Sequence, residues 1–451
     1  MSLTLPYRPA GWDLVIGAAR PERIGVVTAA TGLGIRISGL DAAIGDLVLL
    51  GDADDSGRPC RAEVAAIADD YVTAMPLDAA TGLKAGDRAR STRTRMRVPV
   101  GSGLLGRVVD AAGRPIDGKG PIVAPRVAVD NDAPSPIDRA RIDTQVPLGV
   151  RVLDTLTPVG RGQRMGLFAG SGVGKSSLLS MIARGTDAEV AVIGLIGERG
   201  REVREFLEDD LGPEGLARSV VVVATADQTP LLRVRAAFTA TRIAEGFRDA
   251  GRHAVLLMDS VTRVAMAQRE IGLAVGEPPA TRGYPPSVFG LLARLLERAG
   301  TGPVGSITGL YTVLVDGDDH DEPIADTARS ILDGHVVLDR KLAIAGHFPT
   351  VDALASVSRV AGRITSAEQR RMATALRRVM AARRQAQDLI DVGAYVRGAN
   401  PLVDAALDHD AAIEAFLCQD IAETANGDES WARLAALVDA LGVPTTHGVP
   451  S

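Results

Sequence analysis

The stretch FAGSGVGKSS, Phe168 to Ser177, constrains this chain more than any other, because it demands a strand, a tight loop and a helix in succession. Met165, Leu167 and Phe168 supply the apolar end of a buried strand. Gly170, Gly172 and Gly174, with Ser171 and Val173 between them, give a loop whose backbone can approach phosphate oxygens without Cβ clashes. Lys175 offers a point charge to the outer phosphates and Ser176 a hydroxyl for Mg²⁺. Ser177 and the apolar residues after it open a helix with its N–H groups toward the anion. Ala169 stands where the strict pattern has glycine, and alanine is a small substitute. The loop is therefore expected to bind a nucleotide; the plain alternative is a glycine-rich turn.

At 451 residues the chain is expected to hold two to four domains. A net charge of −6 and an aromatic content of 3% disfavour a protein built to hold nucleic acid by charge neutralisation and base stacking. The two cysteines, Cys60 and Cys418, lie far apart and make no metal-ligand pattern, which fits a reducing compartment. No apolar run reaches membrane-spanning length, and prolines and charges interrupt the first twenty residues where a signal peptide needs an apolar core. The cytoplasm is the expected location.

Residues 24 to about 95 carry short alternating segments, IGVVTAATGLGIRISGL, DLVLL, RAEVAAI and YVTAMPL, with turns at Gly32, Gly39, Gly45 and Gly86. They predict a small closed β-barrel. Beyond residue 97 continuous apolar runs, VAVIGLIG, SVVVVA and AVLLM, alternate with charged helical stretches, the pattern of a parallel sheet buried on both faces. After about residue 365, Ala- and Arg-rich segments predict helices.

Two acids follow apolar strands. Asp259 ends AVLLMD, where a carboxylate can join a Mg²⁺ shell; a helix N-cap is the rival reading. Glu198 ends a second run in GLIGERGREV, where it could orient an attacking water, with Arg199 and Arg201 near enough to feel phosphate charge. Its rival reading is a solvated loop carboxylate.

Longer stretches resemble a known family from about residue 24 to 420. VPVGSGLLGRVVDAAGRPIDG, DSVTRVAMAQREIGLAVGEPPATRGYPPSVFGLLARLLERAG, GLYTVLVDGDDHDEPIADTARSILDGHVVLDRKLA and DLIDVGAYVRGANPLVD are similar to the flagellar and type III protein-export ATPases, relatives of the F-type ATP synthase α and β subunits. The resemblance implies that Glu198 is the catalytic glutamate, that Lys175 and Ser176 contact phosphate and Mg²⁺, and that Asp259 is the strand-end aspartate. It implies a phosphate-proximal role for Arg263 and an adenine platform in Phe348, for which a core aromatic is the alternative. In FPTVDALASVSR, Thr350 replaces the usual alanine or serine, and Arg359 matches an arginine that reaches a neighbouring subunit's site; a surface ion pair is the bland alternative. Most arginines of segment 363–384 are expected on a solvated helix face, with several toward a partner.

The expected architecture is an N-terminal segment (1–23), a β-barrel (24–96), a RecA-like α/β ATPase domain with a mainly parallel sheet (97–365) and a helical C-terminal domain (366–451). The expected reaction is Mg²⁺-dependent ATP hydrolysis by a homohexamer in flagellar export, or in the injectisome form of type III secretion. A rotary ATP synthase catalytic subunit, a Rho-like RNA translocase and a non-catalytic subunit are weaker readings, and no specific nucleic-acid partner is expected. The resemblance implies a coiled-coil stalk protein, an export-apparatus regulator, export substrates and chaperones, and a peripheral place at the inner-membrane export gate.

Overall fold

The computed structural model describes residues 23–51, 59–170, 172–315 and 322–443; positions 1–22 and Ser171 lie outside the described residues. The chain forms two compact units, one ending at Met96 and one beginning at Arg97.

In the first unit, β1 (Gly25–Thr31), β2 (Gly34–Ser38), β3 (Asp46–Leu50), β4 (Cys60–Ile67), β5 (Tyr71–Pro76) and β6 (Arg88–Arg95) close in the order β1-β2-β5-β4-β3-β6. The expected barrel is present. Val27, Ile35, Ile37, Val48 and Val64 fill it, each from the inward-facing set of its strand. The predicted turn glycines Gly32, Gly39, Gly45 and Gly86 all take positive φ, a conformation that side chains with a Cβ resist. The sequence reading named no strand over β6, RARSTRTR. Its only fully buried residue is Ala89, and a register shift with Arg93 at positive φ breaks its alternation.

The second unit is built on a nine-stranded, mainly parallel sheet. Its strands are β8 (Arg107–Asp110), β10 (Arg164–Ala169), β11 (Val190–Glu198), β12 (Ser219–Thr225), β13 (His253–Asp259), β14 (Gly300–Thr301), β15 (Ser306–Leu314), β16 (Gly334–Leu338) and β17 (Val351–Ser358). The order is β17-β16-β10-β15-β13-β11-β12-β8, with β14 beside β15, and β14 and β17 antiparallel to their neighbours. A separate pair, β7 (Arg97–Pro99) and β9 (Arg126–Ala128), lies outside this sheet. The runs VAVIGLIG and AVLLM are buried throughout, because helices cover both faces of a parallel sheet.

The helices Ala367–Asp391, Pro401–Asp408, Asp410–Leu417 and Gly427–Leu441 form the C-terminal region, and their apolar faces join the core of the nucleotide-binding part. Of the arginines expected on a solvated face, Arg370 and Arg384 are exposed, yet these and two others also tie the helix to its surroundings. Arg377 is largely buried and donates to the Leu156 carbonyl at 2.7 Å, and Arg384 grips Asp352 through contacts of 3.1 and 2.9 Å. Arg370 donates to the Thr365 carbonyl at 2.5 Å, and Arg383 pairs with Asp410. A helix docked on a sheet leaves one face dry, and long arginine stems reach from it to backbone carbonyls.

His253, at the start of β13, is buried, and its Nδ1 meets Ser306 Oγ at 2.8 Å. Burial, reinforced by Arg161, pushes its pKa down to about 4. The unfolded imidazole titrates near pH 6.5, so the unfolded chain takes up the proton first. This contribution to stability is complete above that pH and is lost as pH falls toward 4. We predict that His253 accounts for about 2 kcal/mol of the stability lost between pH 7 and pH 5. Denaturant titrations should show a smaller loss over that interval in His253→Gln; an identical loss would refute the assignment.

Candidate functional site

β10 ends in the phosphate loop, and the helix Lys175–Gly185 follows at once. Gly172 and Gly174 have φ of 74° and 81°, so a Cβ at either position would be strained. Gly174 is the residue before the helix and offers no side-chain cap, so the first helical N–H groups face the loop's own concavity. Val173 is buried, whereas Gly172 and Ser176 are exposed and Ser177 is half-buried.

The sheet brings three charged side chains together. Lys175 Nζ lies 2.5 Å from Asp259 Oδ1 and 3.5 Å from Glu198 Oε1. Asp259 leaves the carboxyl end of β13 and Glu198 that of β11, neighbouring parallel strands that pair Leu195 with Asp259. Thr312, on β15 between β13 and β10, donates to Asp259 Oδ1 at 2.8 Å and fixes the carboxylate. The N-cap of the helix Val261–Ala274 is Ser260, whose Oγ accepts from the Arg263 N–H, so Asp259 is free of capping duty.

Glu198 follows a bulge in β11 between Ile196 and Glu198. Gly197, inside it, has φ +72°, and a Cβ there would stand 3.0 Å from Arg263 Cβ. Only glycine lets the Arg263 stem pass so close to Glu198. The Arg263 Nε is buried and makes no hydrogen bond among the described residues, and its charge acts on Glu198. Burial pushes the Glu198 pKa up; Lys175 and Arg263 oppose this and Asp259 adds to it.

Phe348 lies at the other side of the loop. Its ring comes within 3.6 Å of where a Gly174 Cβ would sit, and 47% of the residue is exposed, unlike a core aromatic. Arg359 is elsewhere. β17 runs antiparallel to β16, pairing Leu338 with Val351 near the loop and Gly334 with Ser358 at the far end. The five residues of β16 set that span, because β17 bulges between Asp352 and Val357. Arg359 therefore sits about 15 Å along the sheet from the phosphate loop, exposed, with Nη2 3.3 Å from the Arg329 carbonyl. Arg199 and Arg201 also stand apart from the cluster. The helix Gly200–Glu205 turns them to solvent, where they pair with Glu202 and Glu205.

The sequence marks Thr350 only as a substitution and does not single out Arg340. Thr350 Oγ1 donates to the Val173 carbonyl at 2.6 Å, tying β17 to the phosphate loop across 177 positions. Arg340 follows β16, and its Nη2 would lie 3.3 Å from a Cβ on Gly170. The strand-end rule that singled out Glu198 and Asp259 stops in GHVVLDR at Asp339, which caps the next helix, so it gives no signal for Arg340.

An anion cradle, a lysine and two strand-end carboxylates suit nucleotide phosphates with a hard cation. Ser176 and Asp259 offer oxygen donors only, the set that Mg²⁺ favours.

Residues 149–358 match the ATP synthase alpha/beta family, nucleotide-binding domain, and residues 365–436 match the T3SS EscN ATPase C-terminal domain. The chain is 50% identical over 420 residues to the flagellum-specific ATP synthase of Bacillus subtilis (strain 168), covering 92% of this chain and 95% of that protein. It is 47% identical to the type 3 secretion system ATPase of Xanthomonas euvesicatoria, over 88% of this chain and 90% of the relative. The structure of the assembled ATPase EscN from enteropathogenic E. coli superposes with a TM-score of 0.84 at 42% identity, covering 92% of this chain and all of that one. Fold and site together define a P-loop ATPase with a RecA-like core. The chain belongs to the type III export branch of the ATP synthase alpha/beta family, with the flagellum-specific ATP synthases and the type 3 secretion system ATPases.

The Thr350 tie yields a test. Thr350→Val keeps the shape but leaves the buried Val173 carbonyl without its donor, a loss of about 1 kcal/mol. Nucleotide Kd, measured with a fluorescent ATP analogue, is expected to rise roughly fivefold. Unchanged affinity would show that the tie does not shape the loop.

Proposed function

We propose that this chain is the ATP hydrolase of a flagellar type III export apparatus, working as a ring of identical subunits. The carrying observation is the Lys175–Asp259–Glu198 cluster beside the unpartnered Arg263 Nε, with Arg359 at the opposite end of the same sheet.

Arriving phosphates replace Asp259 as the partner of Lys175, while the loop N–H groups and the helix N-terminus take the remaining oxygens. Ser176 and Asp259 would hold Mg²⁺, which when bound offsets charge on the outer phosphates. Glu198 orients the attacking water and takes its proton; a carboxylate with a raised pKa is a better base near neutral pH than a solvated one. Arg263 directs its free N–H toward the γ-phosphoryl group, and Phe348 gives the adenine a flat apolar surface.

Arg359 is too far from its own loop to assist and faces outward, so it acts in the site of the next copy. Each subunit then carries a phosphate loop at one end of its sheet and a finger at the other, an arrangement that closes into a ring. A homohexamer fits the assembled state reported for EscN, and a coiled-coil stalk partner fits the complex of EscN with its central stalk EscO. No helix of the described residues is long and apolar enough to cross a membrane, in keeping with a cytoplasmic ring docked peripherally at an inner-membrane export gate. Export substrates, their chaperones and a regulator complete the proposed partners.

The higher identity to the flagellum-specific relative favours the flagellar system. An injectisome role is the second reading, supported by the likeness to EscN. Rescue of motility in a strain lacking its own flagellar export ATPase separates the two.

Glu198→Gln should bind ATP with near-normal affinity and lose on the order of 10²–10⁴ in phosphate release, the usual share of a general base. Wild-type turnover would remove Glu198 from the mechanism. Arg359→Ala should keep ATP binding and lose about 10³-fold or more in turnover. In rings mixed with Lys175→Ala subunits, activity should recover where an intact Arg359 faces an intact loop. No recovery would mean that Arg359 does not act across the interface.

A further inference from the structure

Outside the nucleotide site, His347, Glu414 and Cys418 bring a ring nitrogen, a carboxylate oxygen and a thiol within 4.8 Å of one another. His347 Nδ1 lies 2.7 Å from Glu414 Oε1, and Cys418 Sγ lies 3.5 Å from the same oxygen. Glu414 and Cys418 are four apart across the end of the helix Asp410–Leu417, so they share one face. His347 reaches them from the segment before β17 and is itself 5% exposed, while half-exposed Glu414 opens the cluster to solvent.

The surroundings hold the donors in place. The Cys418 N–H donates to the Glu414 carbonyl and the His347 N–H to the Leu342 carbonyl. Buried Arg151 donates to the carbonyls of Ala415, Phe416 and Cys418, capping the helix end with a cation. The Gln419 N–H donates to the Phe348 carbonyl at 2.9 Å, so the helix end and the residue after His347 are already joined.

We propose that His347, Glu414 and Cys418 form a binding site for a borderline-soft divalent metal of the zinc class, with a fourth position left to water. Nitrogen, sulfur and one carboxylate oxygen are the donors such ions select, whereas Mg²⁺ and Ca²⁺ select oxygen. In the metal-free protein, burial and Glu414 push the Cys418 thiol up, so it carries its proton. Coordination releases that proton to solvent as the thiolate binds. The bound ion locks His347, and with it Phe348, against the C-terminal helices. Through Phe348 it restrains the base end of the nucleotide site; this coupling rests on the adenine-platform reading of Phe348, and the existence of the metal site does not.

Co²⁺ serves as the probe, added to reduced, chelator-treated full-length protein without nucleotide. Binding is expected to produce a thiolate-to-cobalt charge-transfer band at one equivalent, displaced by Zn²⁺. The band should survive Cys60→Ser and vanish in Cys418→Ser, and it should weaken in Glu414→Gln, with each variant's thermal melt confirming the fold. Absence of the band in the wild type, or its persistence in Cys418→Ser, overturns the site. Zn²⁺ held at a buffered free concentration that saturates the site should slow exchange of a fluorescent nucleotide several-fold in the wild type and leave Cys418→Ser unaffected. Equal exchange in both overturns the coupling to Phe348 while the cobalt result stands by itself.

Discussion

Lys175 shared between Asp259 and Glu198 is the contact around which the second unit is arranged. One cation and two carboxylates sit almost dry, with side-chain exposures of 13, 4 and 13% in the order Lys175, Asp259, Glu198. Removing such groups from water is unfavourable unless each finds a partner, and one lysine cannot fully satisfy two acids. Glu198 is the member left short, at 3.5 Å rather than 2.5 Å, and burial, which Lys175 opposes, pushes its pKa up. In the proposed mechanism, a cation arriving with the nucleotide compensates the carboxylates when the lysine turns to a phosphate. The parallel sheet makes the arrangement possible. It delivers all three groups to one edge, at the carboxyl ends of β10, β13 and β11, where ligands of open α/β sheets bind.

Much of this edge was legible in the sequence because its signals are local. A glycine-rich loop, a following lysine and an acid after four or more buried apolar residues can each be read within about ten positions. Thr350 was not legible, since its partner Val173 lies 177 residues away and only the placing of β17 brings them together. The same holds for the arginines after residue 363. As a sequence they make a basic helix face, but Arg377 and Arg384 end on Leu156 and Asp352, which no periodicity connects to them. β6 was hidden for the opposite reason. A register shift and Arg93 at positive φ break its alternation, only Ala89 is completely buried, and four of its eight residues are arginines.

Cys418 illustrates the limit of spacing arguments most sharply. With the other cysteine far off in sequence, at position 60, no ligand motif can be read along the chain. The helix Asp410–Leu417 supplies Glu414 and Cys418 as a pair, and the turn before β17 brings His347 to them from 67 positions upstream. Buried polar ties continue outward from this point. Gln419 accepts from the Arg151 N–H and donates to the Gly149 and Glu423 carbonyls, and Arg151 also pairs with Glu423. The segment carrying Phe348 is thus held on one side by Thr350 at the phosphate loop and on the other by the C-terminal helices.

That double attachment bears on how turnover can be felt outside the nucleotide site. A change at the loop acts on β17 through Thr350, and β17 is continuous with Arg359 at its far end. The C-terminal helices lean on the same strand through Arg384 and Asp352. In the proposed ring, one strand therefore links three places: the loop of its own subunit, the finger entering the next, and the helices available to a stalk. The link is not a uniform rod: β17 bulges between Asp352 and Val357, where Asp352 accepts from the Leu354 and Ala355 N–H groups, and Arg384 grips that same carboxylate. In that proposed ring, the antiparallel strand at the sheet's edge is the covalent link between the loop of one subunit and the finger offered to the next.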